Sequence, residues 1–204
     1  MTRSIALIDY GAGNLTSVRK GFTAAGAELY TPVRPHDLSK AAGIVVPGVG
    51  HFSATASLDD EWRSEILARV QTGVPLFGIC LGMQWLFAGS AEARGINGLG
   101  LIQGECTRLD AARPLKVPHV GWNTLRQTGR SSALLCDVGD GGHVYFTHTY
   151  AAPVTADCAA LAIHGVEFAA VVERDHVCGV QFHPEKSAGT GLRILRNFVG
   201  MVNR

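Results

Sequence analysis

The sequence predicts an α/β fold: a doubly wound, mostly parallel sheet with helices on both faces and antiparallel additions. Three observations carry this expectation. Short apolar runs alternate with helix-patterned segments through the first half of the chain, the order that builds a parallel sheet covered on both sides. Several of those runs are continuously apolar, as strands buried on both faces are. From 105 to 182 the pattern changes to strand-like runs separated by Gly, Pro and Asp, read as antiparallel strands added to the same sheet. At 204 residues, one domain spanning 1–204 is expected, large enough to bury about 70–75% of its unfolded surface.

Residues 4–9 read as the first strand and 15–25 as a helix broken by Gly26. Segments 28–31 and 43–47 are strand candidates. Segment 59–70 is an amphipathic helix: Trp62, Ile66 and Val70 recur at i+4, acidic residues lead it, and Gly73 ends it. Pro75-Leu76-Phe77-Gly78-Ile79 reads as a buried strand, and Met83-Gln84-Trp85-Leu86-Phe87-Ala88 as the helix after it. Segment 177–182 is a strand. Leu192, Leu195, Phe198 and Val199 mark a closing helix with Arg193 and Arg196 outward.

Between strand and helix lies Gly78-Ile79-Cys80-Leu81-Gly82. The spacing is that of the Gly-x-Ser-x-Gly nucleophile elbow with sulfur in place of oxygen. A cysteine at a helix N-terminus sits near unpaired N–H groups and partial positive charge, which favour its thiolate. The N–H of Leu81 is placed to hold an oxyanion. The plain alternative is a buried structural cysteine, the usual fate of a free thiol.

His183-Pro184-Glu185 weighs against that alternative. Proline holds the preceding residue extended, and in an extended segment residues i and i+2 share a side. His183 and Glu185 therefore face the same way, roughly 6–7 Å apart along the chain at strand rise. That spacing gives a nucleophile, a base and a group that orients the base.

Composition excludes several classes. The 18 Lys+Arg against 17 Asp+Glu give a net charge of +1, so charge offers no reason to expect nucleic acid or an anionic membrane. Five cysteines without Cys-x-x-Cys spacing indicate neither a zinc site nor a disulfide framework. Neither a signal segment nor an apolar run long enough for a bilayer is evident, so the cytoplasm is the expected compartment. Gly11-Ala12-Gly13 opens like a dinucleotide loop, but Thr16 replaces the third glycine and no acidic residue ends the next strand. No metal and no organic cofactor is expected.

Cys80 in its elbow with His183-Pro184-Glu185 resembles the class I (triad) glutamine amidotransferases. Asp9-Tyr10-Gly11-Ala12-Gly13-Asn14, Pro47-Gly48-Val49-Gly50-His51-Phe52, Lys116-Val117-Pro118-His119-Val120-Gly121-Trp122-Asn123 and Lys186-Ser187 extend the likeness over nearly the whole chain. These blocks resemble the branch of glutaminase subunits that serve imidazole glycerol phosphate synthase in histidine biosynthesis; His51 stands where a smaller residue is expected. The resemblance implies L-glutamine as substrate and a (β/α)8-barrel cyclase subunit as partner in a heterodimer. It implies an oxyanion hole drawn from Val49, Gly50 and Leu81. Gln84 and Glu92 match the glutamine-binding positions, and Thr149 and Tyr150 supply backbone contacts. Gln84 also lies four residues after Cys80, on the same side of a helix. Asn14, Trp122, Asn123, Tyr145 and Lys186 become candidates for the partner face, and His148 is read as a structural histidine. A glutaminase of another synthase (the pyridoxal phosphate or anthranilate systems), a stand-alone γ-glutamyl hydrolase and a flavodoxin-like binding module with an accidental triad stay open.

Overall fold

The computed structural model describes residues 3–110 and 115–204; Met1-Thr2 at the start and 111–114, inside the region read as antiparallel, lie outside the described residues. The first half alternates: β1 (Ile5–Leu7), α1 (Leu15–Ala24), β2 (Leu29–Tyr30), β3 (Gly43–Val46), α2 (Asp60–Gln71), β4 (Leu76–Ile79) and α3 (Leu81–Leu86). The second half brings β5 (Gly89–Ser90), β6 (Glu105–Arg108), β7 (His119–Thr124), β8 (Arg126–Gln127), β9 (His143–His148), β10 (Tyr150–Ala151), β11 (Cys158–His164), β12 (Val166–Arg174) and β13 (Val177–Val180). The last helix, α4, spans Ala188–Val202.

The main sheet has eight strands in the order β2-β1-β3-β4-β13-β12-β11-β8. Neighbours from β2 to β13 are parallel; β12, β11 and β8 continue antiparallel. β13 inserts beside β4, with Val180 opposite Ile79. Not every later strand joins this sheet. Among the described residues β7 and β9 pair only with each other, and β10, β6 and β5 form a small sheet of their own. In β9, Val144, Phe146 and His148 are buried while Tyr145 and Thr147 are half-buried. Such a ribbon buries one face by packing over the end of the core instead of lengthening its edge.

Alternation along each strand feeds two cores. Ile5, Leu7, Val45 and Phe77 pack with Phe22 of α1 and Phe198 of α4, whereas Ala6, Ile8, Ile44 and Val46 pack with Ile66 and Val70 of α2 and Trp85 of α3. Asp59 caps α2 by accepting from the Glu61 and Trp62 N–H groups, both at 3.1 Å.

The end of β4 meets α3 at unusually close quarters. A Cβ added to Gly82 would lie 1.8 Å from the carbonyl oxygen of Val46. Backbone cannot yield as a flexible side chain can, so only glycine lets the elbow helix lie on β3. Gly82→Ala is expected to destabilise the fold by about 3 kcal/mol or more. Urea unfolding monitored by circular dichroism checks this; an unchanged midpoint would show that the helix moves aside freely.

Candidate active site

Cys80 occupies the turn between β4 and α3 with φ +53° and ψ −106°. A positive φ is costly for any residue with a Cβ and persists only where surroundings enforce it. Here the Cys80 N–H donates to the Val180 carbonyl at 2.7 Å, and the Gln84 N–H closes the first helical turn onto the Cys80 carbonyl at 3.1 Å. α3 has only six residues, so its dipole is a lesser source of positive charge than a protonated base beside the sulfur.

The candidate base is His183. β13 leads to it, and it is pinned by its own N–H to the Tyr145 carbonyl at 2.9 Å and by the Ser187 hydroxyl to its carbonyl at 2.6 Å. Its Nδ1 pairs with Glu185 Oε1 at 2.9 Å, and both side chains are buried. Its Nε2 is buried without a hydrogen-bond partner among the described residues, as is Glu185 Oε2. Burial is the largest influence on His183 and lowers its pKa. The adjoining Cys80 thiol and the Glu185 carboxylate together outweigh it and raise His183 to about 10. A ring so placed holds its proton beside sulfur through neutral pH, which suits an imidazolium that stabilises a thiolate and then protonates a leaving amine.

The candidate oxyanion donors lie close together but do not converge on one point. The Leu81 N–H donates to the Gly48 carbonyl at 3.3 Å, so one expected donor is already engaged. In a trans peptide the carbonyl and the following N–H point in opposite directions. With the Gly48 oxygen toward Leu81, the Val49 N–H points away. Val49 itself is 36% exposed, and Gly50 has φ +108°. A Cβ on Gly48 would lie 2.1 Å from the Tyr10 hydroxyl and 2.8 Å from Leu81 Cβ.

A family model, glutamine amidotransferase class-I, matches residues 6–201. The chain belongs to the class I glutamine amidotransferases. It is 49% identical over 203 residues to the imidazole glycerol phosphate synthase subunit HisH of Gloeobacter violaceus, covering 97% of this chain and 89% of that one. The proteins of the same name from Natronomonas pharaonis (45% identical; 97% and 94% covered) and Xylella fastidiosa (46%; 97% and 97%) are similar over comparable lengths. Among solved structures, a glutamine amidotransferase (TM-score 0.75, 18% identity, 98% and 99% covered) and PurLQS from Thermotoga maritima (0.76, 16%, 98% and 99%) share the fold.

In this amidotransferase the residues matched to glutamine binding surround the elbow. Gln84 is buried on α3; its Nε2 donates to the Tyr150 carbonyl at 2.8 Å and to Gln181 Oε1 at 3.1 Å. Glu92 Oε2 accepts the Phe52 N–H at 2.7 Å, which ties it to the loop after Gly50. The Thr149 carbonyl is taken by the Leu109 N–H at 2.9 Å. Gln181 was not singled out from sequence. It is fully buried, and its Nε2 lies 3.7 Å from Cys80 Sγ. Its signal was available: one amide inside the apolar run Val177–Val180 to Phe182.

The candidate partner face divides. Trp122 is 54% exposed, meets Tyr145 edge-to-face at 6.1 Å, and Lys186 Nζ sits 5.9 Å from the Tyr145 ring centre. Asn14 is exposed and caps α1 through the Ser17 N–H at 3.1 Å. Asn123, expected on the same face, instead turns inward, and its Nδ2 donates to the Ile163 carbonyl at 2.9 Å. His51 is exposed and bonds Ser53 locally.

His183→Ala is expected to be nearly as damaging to glutamine hydrolysis as loss of Cys80, whereas Glu185→Gln should retain more activity, because the base survives when only its orienter is changed. Steady-state rates for the two variants check the order. Equal losses would mean that the roles are misassigned.

Proposed function

We propose that this chain is the glutaminase subunit of an imidazole glycerol phosphate synthase, in which Cys80, His183 and Glu185 release ammonia from L-glutamine for a partner subunit. Cys80 attacks the side-chain amide carbon. His183, already carrying the thiol proton as an imidazolium beside the thiolate, delivers it to the departing ammonia, while Glu185 fixes the ring. Water then attacks the glutamyl thioester, with His183 as base, and releases glutamate and the free thiol. The observation that carries this reading is the 49% identity to a HisH subunit over nearly the whole chain. The His183–Glu185 pair directly beside Cys80 supports the chemistry.

The partner proposed is a (β/α)8-barrel cyclase bound as a heterodimer, with the chain acting as one domain in the cytoplasm. The exposed apolar side chains of Val120 and Trp122 on the outer face of β7, beside Tyr145 and Lys186, support a protein contact there. No described helix is long and apolar enough to cross a membrane. Co-purification with the cyclase, and stimulation of glutamine hydrolysis by that subunit with its ribonucleotide ligand, tests the assignment. Stimulation by a different synthase subunit would redirect it, and rapid hydrolysis of γ-glutamyl peptides without partner would identify a stand-alone hydrolase.

A further inference from the structure

His119 of β7 and His148 of β9 stand opposite each other across the ribbon behind the triad, both buried, and no step of the proposed reaction uses them. Their hydrogen bonds define where each proton sits. Asn123 Oδ1 accepts the Thr124 N–H at 2.8 Å and its Nδ2 donates to the Ile163 carbonyl at 2.9 Å, so this amide has one permitted orientation. The same Nδ2 lies 3.4 Å from His119 Nε2, which therefore accepts. A neutral ring that accepts at Nε2 carries its hydrogen on Nδ1. His119 Nδ1 is 3.0 Å from His148 Nε2, which accepts in turn, and His148 Nδ1 donates to the Tyr150 carbonyl at 2.9 Å.

The opposite end gives the same solution independently. A carbonyl only accepts, so His148 Nδ1 must bear hydrogen and its Nε2 must be the acceptor. The bonds thus run one way, from Asn123 to Tyr150. Burial is the chief reason that both rings are held neutral, His119 down to about 3 and His148 to about 4. A proton added to either ring would set N–H against N–H.

The Tyr150 carbonyl is shared with Gln84 Nε2, which also bonds Gln181 Oε1, and Gln181 Nε2 reaches the sulfur of Cys80. Two acceptors at Nε2 decide which end of the Gln84 amide is nitrogen. Its Oε1, which makes no hydrogen bond among the described residues, is thereby left as an acceptor for an N–H group of substrate. We propose that His119 and His148 are positioning residues for the glutamine site: their one-way hydrogen-bond chain fixes the Tyr150 carbonyl, and through it the orientation of the Gln84 and Gln181 amides beside Cys80. The proposal rests on the glutaminase reading of that site.

The test uses the complex with the cyclase subunit. His148→Phe keeps an aromatic ring among Phe146 and Phe168 but removes both nitrogens. It is expected to raise KM for glutamine about 10-fold while kcat changes less. His148→Gln, with a donor and an acceptor, is expected to recover most of the loss. A well-folded His148→Phe protein with wild-type KM would overturn the proposal, and so would a loss confined to melting temperature. Nitrogen-15 spectra of the unaltered protein provide a readout that needs no variant to fold. Both rings are expected to be protonated at Nδ1 alone from pH 6 to 8; an Nε2–H form of either ring, or titration near pH 6.5, would refute the chain. A wild-type complex without glutaminase activity would defeat the functional reading instead, and leaves the spectroscopic result to stand or fall separately.

Discussion

Cys80→Ser is expected to lower glutamine hydrolysis by about 10⁴–10⁶-fold, the scale on which loss of a nucleophile in a coupled triad is felt. The substitution keeps the elbow: serine is smaller than cysteine, and the Cys80 N–H bond to Val180 and the helical turn to Gln84 are backbone interactions that survive it. What disappears is the sulfur nucleophile itself, for which an alcohol oxygen is a poor substitute because thiols in general are far stronger acids than alcohols. A hydroxyl in the same place does not surrender its proton to the His183 ring at neutral pH. The folded variant should still bind the partner, and a synthase assembled with it should turn over when ammonium salts replace glutamine. Measured side by side, the glutamine-dependent and ammonium-dependent rates separate loss of chemistry from loss of structure. Substantial glutamine-dependent activity in the purified variant would falsify Cys80 as nucleophile.

Partner binding with its ligand is expected to raise kcat for glutamine hydrolysis by at least about 10²–10³-fold, the value of a single oxyanion donor. The motivation is that the Gly48 carbonyl occupies the Leu81 N–H, so an acceptor fills the place where the proposed hole needs a donor. Turning over the Gly48–Val49 peptide releases Leu81 and brings the Val49 N–H to the same place, supplying two donors. Glycines on either side of Val49 make that rotation sterically tolerable. A partner favours the turned form only by binding it more tightly than the resting one. Lys186, one residue from Glu185 and seated by Tyr145, is the candidate contact through which it does so. Rates with and without cyclase and ligand decide the matter. Equal kcat values remove any need for a switch, and stimulation confined to KM indicates ordering of the substrate pocket instead.

The sheet was legible because its strands are buried on both faces and so read as unbroken apolar runs, with capped amphipathic helices between them. The separate ribbon of β7 and β9 was not, since alternating residues look alike whether a strand extends a sheet edge or lies across its end. At the site, Cys80, His183 and Glu185 were marked by residue type and spacing. The direction of the Gly48–Val49 peptide left no trace in sequence, because both directions use the same residues. Asn123 shows what strand alternation adds to a resemblance. Adjacent strand residues point to opposite faces, so an outward Trp122 already required its neighbour to turn in. Gln181 and His119 escaped notice for a related reason: a buried polar group announces a partner, but one strand alone does not say which.

The insertion of β13 between β4 and β12 also bears on how the protein is made. Ribosomes extend a chain at roughly 5–20 residues per second, and His183 follows Cys80 by about a hundred residues, so the nucleophile is synthesised about 5–20 s before its base. Through that interval the apolar edge of β4, Leu76–Ile79, has no second neighbour, and an open edge of this kind invites pairing with other chains. One late strand closes the edge and delivers the base together. A chain able to form the triad is therefore one whose aggregation-prone edge has already been sealed, and ammonia release measured with saturating partner and ligand would serve as a readout of completed folding in newly made protein.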